Sequence, residues 1–263
     1  MAGLHFETAG AGDPLVLVHA GICDSGMWDP QWRSLAGSHR LLRHDMRGFG
    51  RSPLPPGPYS HARDLLDVMD AAGVGRAAIA GTSLGGRVAL EVAVAAPDRV
   101  SALVLVGSGL TGHEWSQAVR DYGAAEDAAV ERGDLDAAAE LNVRFWVDGP
   151  QRDATQVDAA VRDHVRAMQR RALDLQVPMW EEAGEEPLVP DLGDRLGEVR
   201  QPALVLVGEV DHPDIHAIAA RLVAGIPDAA FATIPAAAHL PSLERPEPFD
   251  RLVTGFLSAS APA

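Results

Sequence analysis

Ala77-Ala78-Ile79-Ala80-Gly81-Thr82-Ser83-Leu84-Gly85-Gly86 joins a short apolar run, Ala77 to Ala80, to a helical one, Val88 to Ala96. In a strand-to-helix turn this tight the central serine must take a strained backbone conformation, and glycines two residues to either side keep neighbouring side chains from colliding. The strain lifts the hydroxyl clear of the strand. It also sets Ser83 at the N-terminus of the following helix, where unpaired N–H groups and the helix dipole favour negative charge developing on a nearby oxygen. Ser83 is therefore the candidate nucleophile, and attack on a carbonyl the candidate chemistry.

Outward from this turn, short β-rich runs alternate with helical patterns. The runs are Leu15 to His19, Leu41 to Asp45, Ala77 to Ala80, Ala102 to Val106, Ala203 to Val207 and Phe231 to Ile234. Continuous apolar stretches of this kind, without alternation, predict buried parallel strands in a sheet covered on both faces. Helices are predicted at Trp28 to Leu35, Ala62 to Ala72, Leu84 to Ala96 and Ile215 to Ala224. The pattern is that of an α/β, mostly parallel, doubly wound sheet.

From Leu110 to Leu192 the rhythm breaks. Amphipathic stretches at Glu114 to Glu131, Asp134 to Val147 and Thr155 to Leu175 predict helices, and no strand is expected there. Residues 110–192 read as a helical cap inserted between two strands of a core made of residues 1–109 and 193–263. Glu181 to Asp191, with Gly184, Pro187 and Pro190, reads as the linker back to the core, and Pro53 to Pro58 as a rigid surface loop.

A serine hydroxyl needs a base to accept its proton. Of ten histidines, His239 follows the last predicted strand, in a loop able to carry it over the C-terminal edge of the sheet, where catalytic groups collect in open α/β sheets. His5, His39, His61, His113 and His164 sit outside that edge or in the insertion. His212 and His216 have i, i+4 spacing, but Pro213 stands where a zinc protease would carry its glutamate, so no metal site is expected. The base needs a carboxylate to fix its tautomer. Asp211, beyond the end of Ala203 to Val207, is the candidate, with Glu209 and Asp214 as fallbacks; the preceding strand end offers no carboxylate before Glu114.

The order Ser83, Asp211, His239 resembles that of the α/β-hydrolase fold family, and the resemblance runs from residue 4 to residue 257. It is carried by His19-Ala20-Gly21-Ile22, by Asp45-Met46-Arg47-Gly48-Phe49-Gly50-Arg51-Ser52, by the turn at Ser83, and by His239 with Glu244 and Pro246. Ala20 stands where the family has glycine. The resemblance implies an oxyanion hole of backbone N–H groups from Leu84 and Gly21, with Ile22 as the alternative to Gly21. It also implies structural roles for His19, Asp45, Arg47 and Ser52, and a lid role for the insertion. Trp28, Trp115, Trp146 and Trp180 are candidates to line a substrate pocket, although core packing accounts for each of them as well.

Composition removes whole chemistries. All 22 basic residues are Arg, so no lysine Schiff base, Walker-type lysine or Ser–Lys dyad operates here. A net charge of −15 speaks against a nucleic-acid partner. No stretch reaches the roughly 18 apolar residues of a membrane span, and the first residues lack a basic n-region, so a cytoplasmic location and no membrane partner are expected. The single cysteine, Cys23, fits a reducing compartment. Together these readings predict a cofactor-free serine hydrolase that cleaves a small-molecule ester or lactone through an acyl-enzyme, similar to enol-lactonase-like and carboxylesterase-like members. An aspartate nucleophile, as dehalogenases and epoxide hydrolases require, is absent at position 83. Meta-cleavage carbon–carbon hydrolysis, a cofactor-free peroxidase-like activity and a non-catalytic binding role remain as alternatives.

Overall fold

A computed structural model describes residues 3–260. Its strands are β1 (Phe6–Ala9), β2 (Asp13–Val18), β3 (His39–His44), β4 (Gly57–Tyr59), β5 (Ala77–Thr82), β6 (Val100–Val106), β7 (Ala183–Glu185), β8 (Ala203–Gly208) and β9 (Ala229–Ile234). Seven of them form one sheet in the order β1-β3-β2-β5-β6-β8-β9, parallel throughout except for β1, which runs antiparallel to β3.

The helices are α1 (Asp29–Leu35), α2 (His61–Ala71), α3 (Leu84–Ala95), α4 (Gln117–Glu131), α5 (Leu135–Asn142), α6 (Ala159–Gln176), α7 (Pro213–Gly225), α8 (Pro241–Glu244) and α9 (Pro246–Ser260). Side chains alternate across each strand and so feed two apolar layers. Val16 and Val18 of β2, Leu103 and Leu105 of β6, and Val205 and Val207 of β8 pack with α2, α3 and α7. Leu15 and Leu17, Val104 and Val106, and Leu204 and Leu206 face the other way, against Leu35 of α1 and Phe249 and Val253 of α9. This is the doubly wound α/β arrangement, and it carries the C-terminal ends of β5, β6 and β8 to one edge.

Helices α4, α5 and α6 lie between β6 and β8 and form a cap with its own small core of Ala129, Val130, Ala138, Ala139 and Leu173. Asp134 and Asp158 cap α5 and α6 by accepting from the N–H groups of Ala137 and Ala160. Between α5 and α6, Val143–Asp148 widens into a π-helical turn. Arg162 spans it, bound to Asp148 at 2.7 Å and to Glu140 at 2.9 Å.

Three local expectations need correcting. The antiparallel edge strand β1 was not foreseen, because four residues beside Gly10 carry too little periodicity. The last strand, β9, is not covered on both faces: it is the edge strand beside β8, and Phe231 is 50% exposed. Finally, β4 and β7 form a small parallel pair inside the stretches read as a proline loop and a linker, with Glu185 inside the insertion where no strand was expected. Gly57 N–H donates to Glu182 O and Glu186 N–H to Tyr59 O, both at 2.7 Å, and pairing between such distant segments leaves no local pattern.

Candidate active site

Ser83 has φ 54° and ψ −114°, a left-handed conformation that costs a non-glycine residue about 1–3 kcal/mol. The surroundings over-determine it. Ser83 N–H donates to Val106 O at 2.9 Å, and Ser83 O accepts from the N–H groups of Gly86, Arg87 and Gly109. A Cβ at Gly81 would lie 2.2 Å from Gly85 O, and one at Gly85 would lie 2.4 Å from Val18 O. No side chain fits at either position. The turn can be this sharp only because strand, helix and the neighbouring β2 end meet backbone to backbone.

Across the same edge, the turn after β8 carries Asp211 and the loop after β9 carries His239. His239 Nδ1 lies 2.9 Å from Asp211 Oδ2, and both residues are buried. An ionised carboxylate only accepts, so Nδ1 carries the proton and Nε2 is left as an acceptor. Asp211 Oδ1 accepts from the His212 N–H at 2.7 Å. Gly107, just after β6 with φ +47°, leaves the space this pair needs: a Cβ there would sit 3.1 Å from His239 Nδ1. The fallback acids are occupied elsewhere. Glu209 accepts from Ala236 N–H, and Asp214 from Ser116 N–H and His113 Nε2.

The His239 loop is tied down from two sides. Ala238 N–H donates to Glu244 Oε1 at 2.9 Å, and Glu244 Oε2 is 2.7 Å from the Arg152 guanidinium. Arg152 also donates to Ala236 O and, within the cap, to Val147 O and Asp148 O. This cap-to-loop clamp and Gly107 were missed in the sequence. Glu244 had been picked out by motif only, and nothing local marks Arg152 apart from the other arginines.

Ser83 and His239 line one cavity of about 330 Å³, together with Gly21 and Ile22. Larger clefts lie elsewhere: one of about 830 Å³ over the cap beside Arg144 and Asp153, and one of about 760 Å³ beside Arg76 and Gln201. Neither contains a histidine; a third, of about 610 Å³, holds Ser38 and His39 2.9 Å apart, but among the described residues no carboxylate is bonded to His39, so the smaller cavity, whose histidine is paired with Asp211, is the chemically competent one. A tight turn, closed by Cys23 N–H to Ala20 O at 3.0 Å, puts the Gly21 and Ile22 amides at its two central positions. Gly21 packs on Leu84, whose side chain would be 3.5 Å from a Cβ added there. Leu84 begins α3, so its N–H has no helical acceptor. Ala20 N–H points instead to Met27 Sδ at 3.2 Å.

His19 holds these loops together. Its Nδ1–H donates to Ala20 O at 2.8 Å and its Nε2 accepts from Met46 N–H at 2.9 Å. Burial keeps the ring neutral by pushing its pKa down. Asp45 accepts from the N–H groups of Ser25 and Arg51, Ser52 Oγ donates to Asp45 O, and Arg47 forks onto Asp64.

The four tryptophans separate. Trp146 lines the cavity with its ring centroid 4.5 Å from that of His239, and Trp180 lines it while 49% exposed. Trp28 does not reach it: fully buried against Phe249, it belongs to the core beneath α9. Trp115 packs edge-on against His113 and the main core, also away from the cavity. Both corrections have one cause, since apolar surface is buried wherever tertiary packing offers room and a tryptophan's sequence position does not say where that is. His212 stacks on Phe145 and donates through Nε2 to Phe145 O at 2.8 Å. Among the described residues no three His, Cys, Asp or Glu side chains converge as metal ligands, and no helix is long and apolar enough to cross a membrane.

Comparison with known proteins gives the same frame. The model of the alpha/beta hydrolase fold matches residues 13–246. The pimeloyl-[acyl-carrier protein] methyl ester esterase of Nitrosomonas europaea is 32% identical, over 95% of this chain and 97% of that protein. The RutD protein of Azorhizobium caulinodans, named for carbamate hydrolysis, is 31% identical over 97% of this chain and 95% of its own. Among solved structures, a thermophilic esterase from Thermogutta terrifontis superposes with a TM-score of 0.80 at 27% identity, covering 98% of this chain and 94% of that one. The chain belongs to the α/β-hydrolase fold family and is esterase- and lactonase-like within it.

Proposed function

We propose that this protein is a serine hydrolase that cleaves a small-molecule carboxylic ester or lactone through an acyl-enzyme on Ser83. The observation that carries the reading is a serine held at φ 54° in the same cavity as a histidine whose far nitrogen is bound to a buried aspartate. Relatives named for ester cleavage support the substrate class.

In the proposed cycle Ser83 Oγ attacks the carbonyl carbon while His239 Nε2 takes its proton, and Asp211 stabilises the imidazolium through Nδ1–H. The carbonyl oxygen gains the charge and is met by the Leu84 N–H and the Gly21 N–H, with Ile22 as the alternative donor. A donor of this kind contributes about 3–4 kcal/mol in the transition state. The carbon–oxygen bond to the alcohol then breaks, and His239 returns the proton to the departing oxygen. Water, deprotonated by the same nitrogen, attacks the acyl carbon and releases acid and free Ser83. Residues 110–192 serve as the lid, with Trp146 and Trp180 as the aromatic wall of the acyl or alcohol pocket.

A fluorophosphonate probe with p-nitrophenyl acetate and butyrate tests this. Wild type should label and turn over both esters, and Ser83→Ala should do neither. Equal turnover by the two proteins sinks the proposal, as does absence of both labelling and turnover in wild type.

A further inference from the structure

The cavity has a chemically distinct wall contributed by the cap helices. Of the side chains that line it, Glu126 is the one carboxylate, and none is Arg. Every cavity-lining residue from α4, α5 and α6 except Leu173 is polar, namely Tyr122, Glu126, Asn142, Gln169 and Gln176. A chain with 22 Arg and no cation at its candidate site is poorly suited to hold an anionic substrate there.

Counting protons on this wall sharpens the point. Asn142 Nδ2 donates to Glu126 Oε1 at 2.5 Å and to Ala138 O at 2.9 Å, which uses both of its hydrogens. Tyr122 has a single proton, and Asn142 Oδ1 at 2.5 Å outcompetes Glu126 Oε2 at 3.2 Å for it. Glu126 Oε2 is left with the longer Tyr122 contact and the neighbouring Gln169 side chain as its donors. Gln169, 5% exposed and lining the same cavity, has a buried Oε1 with no donor among the described residues. One acceptor, Gln169 Oε1, therefore lacks a hydrogen at this wall, beside the Glu126 carboxylate. Burial also pushes the Glu126 carboxyl up despite the hydrogen bonds it receives from Asn142, Tyr122 and Gln169, so the wall solvates negative charge poorly.

We infer that Glu126, with Gln169, selects the substrate: the site takes neutral esters or lactones that carry an amide N–H or a hydroxyl away from the scissile bond, and rejects those that carry a second, free carboxylate. The inference rests on the serine-hydrolase reading and names its substrate class. A donor on the substrate fills the open Gln169 Oε1, whereas a carboxylate meets Glu126 as a like charge in a confined space.

The test uses p-nitrophenyl esters of hexanoate, of its ω-carboxamide and of its ω-carboxylate, with wild type, Ser83→Ala and Glu126→Gln at one pH near 8. In wild type, kcat/KM should fall in the order carboxamide, hexanoate, carboxylate, with at least tenfold between first and last. Glu126→Gln should raise the carboxylate ester at least fivefold relative to hexanoate. A carboxylate ester turned over as well as the carboxamide by wild type overturns the inference, and so does a folded Glu126→Gln protein with an unchanged ratio. Hexanoate turnover that survives in Ser83→Ala refutes the serine reading instead. If no ester is cleaved, calorimetric titration of wild type with hexanamide and hexanoate reads the same wall: tighter binding of the amide supports the inference, and equal or tighter binding of the carboxylate overturns it.

Discussion

Gly107 leaves room for His239: a Cβ built on Gly107 would lie 3.1 Å from His239 Nδ1 and 3.5 Å from Asp211 Oδ2, and Gly107 has φ +47°. A methyl group here both strains the backbone and presses on the imidazole–carboxylate contact. Gly107→Ala should therefore lose about 1–3 kcal/mol of stability and at least tenfold in kcat, with KM little changed. Urea denaturation and p-nitrophenyl butyrate kinetics check both numbers. A fully active and equally stable variant shows that the contact is not needed.

Asp211→Asn keeps a side chain of the same size 2.9 Å from His239 but can present an N–H to Nδ1 and so favour the wrong tautomer. A loss in kcat of about 10⁴-fold is expected, with the fold intact by circular dichroism. Retention of more than a tenth of wild-type activity would place the functional carboxylate elsewhere.

His44 on β3 is fully buried, and neither ring nitrogen has a partner among the described residues. Burial, reinforced by nearby His19 and only partly offset by Asp45, pushes its pKa down to about 3. Below its ordinary value of 6.5 the unfolded chain binds a proton that the folded chain refuses. Stability must therefore fall as pH drops from 6.5 towards 3, by a few kcal/mol at the end of that window. His44→Leu should flatten this part of the profile, measured as the difference in urea midpoints at pH 7.5 and pH 4.5. Parallel profiles for the two proteins would contradict the account.

Asp45 is buried and accepts from two backbone N–H groups, at 2.9 Å from Ser25 and 2.8 Å from Arg51. Burial alone would raise its carboxyl; the bonds from Ser25 and Arg51 outweigh that and hold it below the ordinary carboxylate range. Its contribution is thus present above the unfolded value and is lost as pH falls through the lower folded one. Asp45→Ala should cost about 2–5 kcal/mol by orphaning two donors. Fluorophosphonate labelling of the folded fraction should persist, since Asp45 pins loops and does not line the cavity.

Trp28 and Trp180 should respond in opposite ways. Trp28→Ala removes a fully buried ring from the core and should cost about 3–5 kcal/mol. Trp180→Ala, at the cavity wall and half exposed, should leave the thermal midpoint nearly unchanged while altering KM severalfold among esters of different chain length. Swapped outcomes would reverse the assignment of core and pocket.

The doubly wound sheet, the turn at Ser83, and the candidates Asp211 and His239 were all legible in the chain itself, because each depends on local rules. Buried parallel strands read as unbroken apolar runs, a sharp strand-to-helix turn demands glycine at Gly81 and Gly85, and order along the chain restricts which loops reach one sheet edge. What only the tertiary structure decided are contacts between segments far apart in sequence: Gly107 against His239, Arg152 on Glu244, β4 beside β7, and the sorting of four tryptophans into two at the cavity and two in the packed interior. These rest on excluded volume and on hydrogen-bond partners more than forty residues apart, and such long-range constraints leave no periodicity in a single sequence.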